Sequence, residues 1–151
     1  MLHYRERLTP ALWVFVSTAL LIPASIIVLA PLPTVDGVLI GSILGVVLYL
    51  GVVGTLVISA PLIEVTPGQV RVGPARIPAE LVGECTAFTG EEARAQRGPQ
   101  MDMRAWLCIR GWIKPVVKMQ IADPLDPAPY WLVSTRRPGD FIDAVTASRG
   151  A

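Results

Sequence analysis

The residues best suited to holding an anion are the adjacent arginines Arg136 and Arg137, followed at once by Pro138. A guanidinium presents a rigid fork of donors that meets a carboxylate or a phosphate bidentately. Neighbours on an extended strand point to opposite faces, so the two converge on one ligand only where the chain turns, and Pro138 allows a turn. The structural reading is that one of them pairs with Asp123, Asp126 or Asp140 and pins the proline-rich turn to the final helix. A second group contains Trp106, Arg110, Trp112 and Lys114. Counting by twos over 105–121 puts these four and Cys108 on one side of a strand, with Leu107, Ile109 and Ile113 on the other. The apolar side is expected to face a core. The mixed side fits a groove lip, a partner surface or lipid headgroups, or else a half-buried strand with its cations in water.

Catalysis finds less support. General acid–base work needs a held pair of titratable groups. The carboxylates Glu64, Glu80, Glu84, Asp102, Asp123 and Asp126 show no pairing pattern, and the single histidine, His3, sits in a polar lead. There is no G-x-S-x-G and no phosphate loop. Two cysteines, Cys85 and Cys108, with one histidine do not assemble a zinc site, and they read as small buried apolar residues. The chain is therefore expected to be non-enzymatic, with no catalytic, cofactor or metal residues; the alternative is a membrane-surface enzyme or a lipid-headgroup-binding protein. From residue 64 onward eleven Arg and Lys face ten Asp and Glu, a balance that argues against nucleic acid and against a general polybasic surface.

The elements that must position these residues begin with two apolar stretches. Ala11–Leu32 is 22 residues without a charge and Val38–Ile63 is 26 more, with Asp36 the one charge between them. Roughly 20 apolar residues cross a hydrocarbon core as a helix, the only form in which a single segment satisfies its own backbone there. Residues 1–10 thus read as a cytoplasmic lead, 11–63 as a transmembrane helical hairpin, and 64–151 as a cytoplasmic β-rich domain. The first apolar run exceeds a signal-peptide core and a second span follows at once. Arg5, Arg7, Arg71 and Arg76 flank the spans, so both termini are expected in the cytoplasm, with residues 33–37 facing outward. A bend is expected near Pro23, and Trp13 suits either a headgroup anchor or plain lipid contact. Gly37, Gly41 and Gly45, then Gly51 with Thr55, form a small-residue face on the second helix. Its partner is the first helix through Ser17, Ala24 or Ser25, a second copy of the chain, or another membrane protein. The bilayer itself is the expected environment.

Beyond Pro61 the period changes. Residues 62–66 and 69–73 alternate around Pro67-Gly68, which reads as a β-hairpin. Short strands are predicted around 76–78 and 82–88, a solvated loop over 90–103, a strand over 105–121, a proline-rich turn over 123–129, a strand over 130–135, and a short helix over 140–148 with Phe141, Ile142 and Val145 on one side. Strands first and one helix last make a small α+β unit.

Tyr4-Arg5-Glu6-Arg7-Leu8, two spans, Ile63-Glu64-Val65-Thr66 and above all the run DPLDPAPYWLVSTRRP from Asp123 to Pro138 resemble a family of small actinobacterial membrane proteins, a domain of unknown function. That resemblance implies no activity. A looser similarity, carried by residues 62–72 and 130–148, is to bacterial membrane-anchored pleckstrin-homology-like domains. It implies a partly open β-barrel capped by residues 140–148. It does not imply phosphoinositide binding, since fold and function are separable and no dense Lys/Arg loop lies between Gln69 and Arg76.

Overall fold

The computed structural model describes residues 3–32 and 36–150, in two compact units. One is Thr9–Ala60; the other runs from Pro61 onward and includes the N-terminal residues up to Leu8.

The first unit is helical: α1 (Leu12–Ala19), α2 (Leu21–Leu29) and α3 (Gly37–Ile58). Leu12–Leu29, taken together, and Gly37–Ile58 are long and apolar enough to cross a membrane. The interruption at Leu20 has its cause three residues on. Pro23 has no N–H for the Ala19 carbonyl, and its ring crowds that same carbonyl. Leu20 N instead closes a tighter turn on Ser17 O at 3.2 Å. The Ser17 and Thr18 hydroxyls both donate to Val14 O, at 3.1 and 2.7 Å, a contact that bends helices further. Asp36 caps α3, accepting from Leu39 N at 3.2 Å. Pro33, Thr34 and Val35, in the loop expected to face outward, lie outside the described residues. At the far end α3 stops at Ile58, before Pro61.

The glycines of α3 divide into two sets. A Cβ on Gly41 would stand 2.7 Å from Ile26 Cα, and one on Gly45 2.6 Å from Ile22 Cα, so only glycine permits this approach of α2 to α3. Gly37 is equally confined by Leu29 and Ala30. Gly51 and Gly54 meet nothing within 4 Å, and the Thr55 hydroxyl donates back to Gly51 O at 2.8 Å.

The second unit holds β1 (Tyr4–Arg7), β2 (Leu62–Thr66), β3 (Gln69–Val72), β4 (Ala75–Pro78), β5 (Val82–Phe88), α4 (Gly90–Gln96), β6 (Trp106–Cys108), β7 (Val116–Ile121), β8 (Tyr130–Ser134) and α5 (Pro138–Arg149). The first four strands form an antiparallel sheet in chain order. Gly68, at φ 73° after Pro67, supplies the left-handed residue that a Pro-Gly turn between β2 and β3 requires. The second sheet runs β5-β7-β8-β6, with β6 parallel to β8 and the other pairs antiparallel.

Ile63, Val65, Val70 and Val72 from one sheet, Val117, Met119, Trp131 and Val133 from the other, and Phe141 and Val145 from α5 share one core. On the opposite face of the second sheet Val116, Tyr130 and Leu132 pack with Ala93 of α4. β8 is therefore buried on both sides, which accounts for its unbroken apolar run.

Several sequence expectations are corrected. Tyr4–Arg7 is an edge strand paired with β2, Arg5 opposite Glu64, and not part of a free polar lead. The stretch expected as solvated loop over 90–103 begins with α4, whose Ala93 is fully buried. The strand expected over 105–121 is two strands separated by a turn at Gly111 and Trp112. Its faces are also exchanged at the start: Cys108 is buried while Leu107 is exposed, because pairing beside β8 turns Trp106 and Cys108 toward Trp131 and Val133. Pro138 begins α5 instead of preceding it, since a proline at the first helical position has no N–H to lose.

Candidate functional site

Arg136 and Arg137 follow β8, and their surroundings centre on a carboxylate some 130 positions earlier, Glu6 of β1. Glu6 is a core-facing residue of its strand, with a side chain only 7 % exposed. Its Oε2 accepts from the Tyr4 hydroxyl at 2.5 Å and from the Thr135 hydroxyl at 2.6 Å; its Oε1 accepts from Arg136 N at 3.1 Å and Arg136 Nη1 at 3.4 Å. Arg136 Nη1 also donates to Arg7 O at 3.3 Å. Arg137 donates from N to Thr135 Oγ1 at 3.1 Å and from Nη2 to Arg5 O at 3.3 Å. Its guanidinium lies 5.0 Å from the Tyr4 ring centroid and 3.6 Å from Asp140 Oδ2. The two arginines thus tie β1 and the first turn of α5 to the end of β8. Asp123 and Asp126 accept from Leu125 N and Ala128 N, each at 2.9 Å, within their own turn.

The electrostatics follow from this wiring. Burial pushes the Glu6 carboxyl up, but hydrogen bonds from Thr135, Tyr4 and Arg136 N, with the Arg136 charge, outweigh it and hold the carboxyl below its ordinary value. Burial and the bond to Glu6 push the Tyr4 phenol up to about 12. A carboxylate ionised throughout the neutral range and a phenol that keeps its proton do not exchange protons there, so this cluster acts as a clamp.

The Trp106, Arg110, Trp112 and Lys114 group is dispersed. Trp106 packs on Trp131 with ring centroids 4.8 Å apart. The Trp112 indole N–H donates to Leu8 O at 3.4 Å, and Arg110 Nη1 donates to Ile109 O at 3.1 Å. Lys114 alone opens on a cavity. With Arg94, Arg97, Glu91 and three glycines, Gly90, Gly98 and Gly111, it lines an open cleft of about 630 Å³. Arg97 is fixed there: its Nε donates to Ala93 O at 3.2 Å and its Nη2 to Lys114 O at 2.9 Å. Sequence reasoning passed over Arg94 and Arg97 because their stretch lacks apolar periodicity; the usable signal was Ala93 and Gln96, three apart, marking the inner face of a short helix.

Other candidate acids are engaged. Glu64 stands between Arg5 at 3.4 Å and Arg71 at 3.5 Å, a row across β1, β2 and β3. Asp102 pairs with Arg104 at 3.0 Å, which holds its carboxyl below the usual range. Burial raises both thiols, Cys85 and Cys108, and both are free. No group of three metal-binding side chains gathers among the described residues.

Two long apolar helices followed by a sheet-rich unit and a C-terminal helix define the class of protein. The family model described as a protein of unknown function, DUF3093, matches residues 3–145, and the chain belongs to that family. No curated protein and no solved structure matches it.

Proposed function

We propose that the protein is a non-enzymatic, membrane-anchored binding module. Leu12–Leu29 and Gly37–Ile58 cross the cell membrane as a hairpin, both termini lie in the cytoplasm, and the two-sheet unit offers its surface to a partner there. The observation that carries this reading is the outward face of the helices: Leu12 is 78 % exposed, Ile27 73 % and Ile58 81 %. A core helix of a water-soluble protein buries such residues, whereas hydrocarbon accepts them on every side.

The strand pairing supports the same topology. β1 precedes the helices and β2 follows them, and Leu8 N donates to Pro61 O at 3.0 Å. The chain therefore leaves and rejoins its sheet at one place, as an even number of crossings requires. Arg5, Arg7, Arg71 and Arg76 near the helix ends, against Asp36 in the connection, favour the cytoplasm for that place. We read the β unit as pleckstrin-homology-like, with α5 packed against strands of both sheets; the parallel β6–β8 pair departs from that pattern. The open surface at Gly51 and Thr55 suits a second copy or another membrane protein.

Cysteine labelling tests the topology in a background with Cys85 and Cys108 changed to alanine. On intact cells a membrane-impermeant maleimide is expected to modify Asp36→Cys, and to modify Glu80→Cys only after permeabilisation. Labelling of Glu80→Cys from outside refutes the orientation.

A further inference from the structure

We infer that the cleft between α4 and the β6–β7 connection is a binding site for a phosphate group, borne by a lipid headgroup or by a small phosphomonoester. Arg94, Arg97 and Lys114 line it with one carboxylate, Glu91, so two positive charges remain after pairing. The Glu91 partner is Arg94, at a loose 3.9 Å with both side chains largely in solvent. Neither Arg97 nor Lys114 has a carboxylate within ion-pair distance among the described residues.

Arg97 gives the site its direction. Its guanidinium is held through Nε and Nη2 by two neutral carbonyls, Ala93 O and Lys114 O, so its plane is set while its charge is left unneutralised by protein. A guanidinium ordered in advance loses little freedom on meeting an anion, and the exposed cations Arg94 and Lys114 beside it can meet the remaining oxygens of a tetrahedral group. The wall is open at Gly111, where a Cβ would meet nothing within 4 Å. The volume of about 630 Å³ falls in the ordinary range for small-ligand sites and exceeds what a bare phosphate fills, leaving room for the group that carries it.

This inference does not rest on the membrane topology, and its test separates the two. The full-length chain in a neutral detergent, at about 0.15 M ionic strength to screen diffuse attraction, is titrated with inorganic phosphate and glycerol 3-phosphate by isothermal calorimetry. Saturable binding is expected, weakened at least tenfold in Lys114→Gln and in Arg97→Gln and unchanged in Arg76→Gln, which lies on β4. Lys114→Gln is the decisive variant, because Arg97→Gln also removes two bonds to the backbone. Gly111→Leu, which adds bulk at the cleft wall without removing a charge, is expected to weaken binding as well. Short-chain phosphatidic acid below its micellar concentration then identifies the carrier: competition with glycerol 3-phosphate assigns a lipid headgroup, and its failure to compete assigns a soluble phosphomonoester. Absence of saturable binding, or equal binding by the wild type, Lys114→Gln and Gly111→Leu, overturns the inference.

Discussion

Glu6 shows how far the meaning of a residue depends on a partner distant in the chain. Its position in a polar run gave no sign of burial, and Arg136 and Arg137 read either as a pair for an external anion or as partners of Asp123, Asp126 or Asp140. The anion of Arg136 is Glu6 itself, with Arg136 Nη1 at 3.4 Å. One half of the structural alternative was legible, since Arg137 does reach Asp140; the other half needed the pairing of β1 with β2, which bridges more than fifty residues. Glu6→Gln exchanges charged hydrogen bonds for neutral ones in a buried place and is expected to cost about 2 kcal/mol, read as a lower unfolding temperature of the detergent-solubilised chain by near-ultraviolet circular dichroism. The Glu6 carboxyl is depressed in the folded chain, so its contribution is present above the ordinary carboxylate value and is lost as pH falls through the lowered one. The acid-side loss of stability is therefore expected to flatten in the variant. The Tyr4 phenol, raised to about 12, acts at the other end: the unfolded chain ionises near 10, so stability falls between those values as pH rises. Spectrophotometric titration is expected to show a late-ionising phenol that is lost in Tyr4→Phe.

At the scale of elements, period and punctuation were sufficient where the chain obeys them locally. Pro67-Gly68 located the first hairpin, residues 82–88 were read as the strand they form, and charge-free length marked both long helices. Pro23 announced an interruption that falls at Leu20, because proline acts on the carbonyl four residues before it. Two elements were hidden. α4 is seven residues long and shows a single fully buried apolar side chain, Ala93, too little for a periodic signal. The 105–121 alternation concealed a change from a parallel to an antiparallel neighbour, which no count by twos records. The sequence offered the glycines of α3 as one face, whereas Gly41 and Gly45 lie against α2 and Gly51 meets open space. Gly45→Leu drives a side chain into the α2 backbone and is expected to destabilise the helical unit by about 2 kcal/mol, by analogy with overpacked cores. Gly51→Ala meets open space and is expected to leave stability unchanged or raise it by less than about 1 kcal/mol through helix propensity. Unfolding in sodium dodecyl sulfate, followed by far-ultraviolet circular dichroism, distinguishes the two.

The molecule as a whole inserts its helical pair between two strands that are neighbours in one sheet, β1 and β2. That arrangement reconciles an apolar outward surface on one unit with a conventional buried core in the other. It also makes the Glu6 clamp intelligible: β1 is an edge strand of four residues, and the Arg136 and Arg137 bonds fasten it where a long excursion would otherwise leave it to fray. On the proposed topology this excursion lies in lipid. Alkaline carbonate extraction of membranes from cells making the full chain tests it directly. The protein is predicted to remain wholly in the pellet and to enter solution only with detergent; its release into the carbonate supernatant would show that the helices do not span a bilayer.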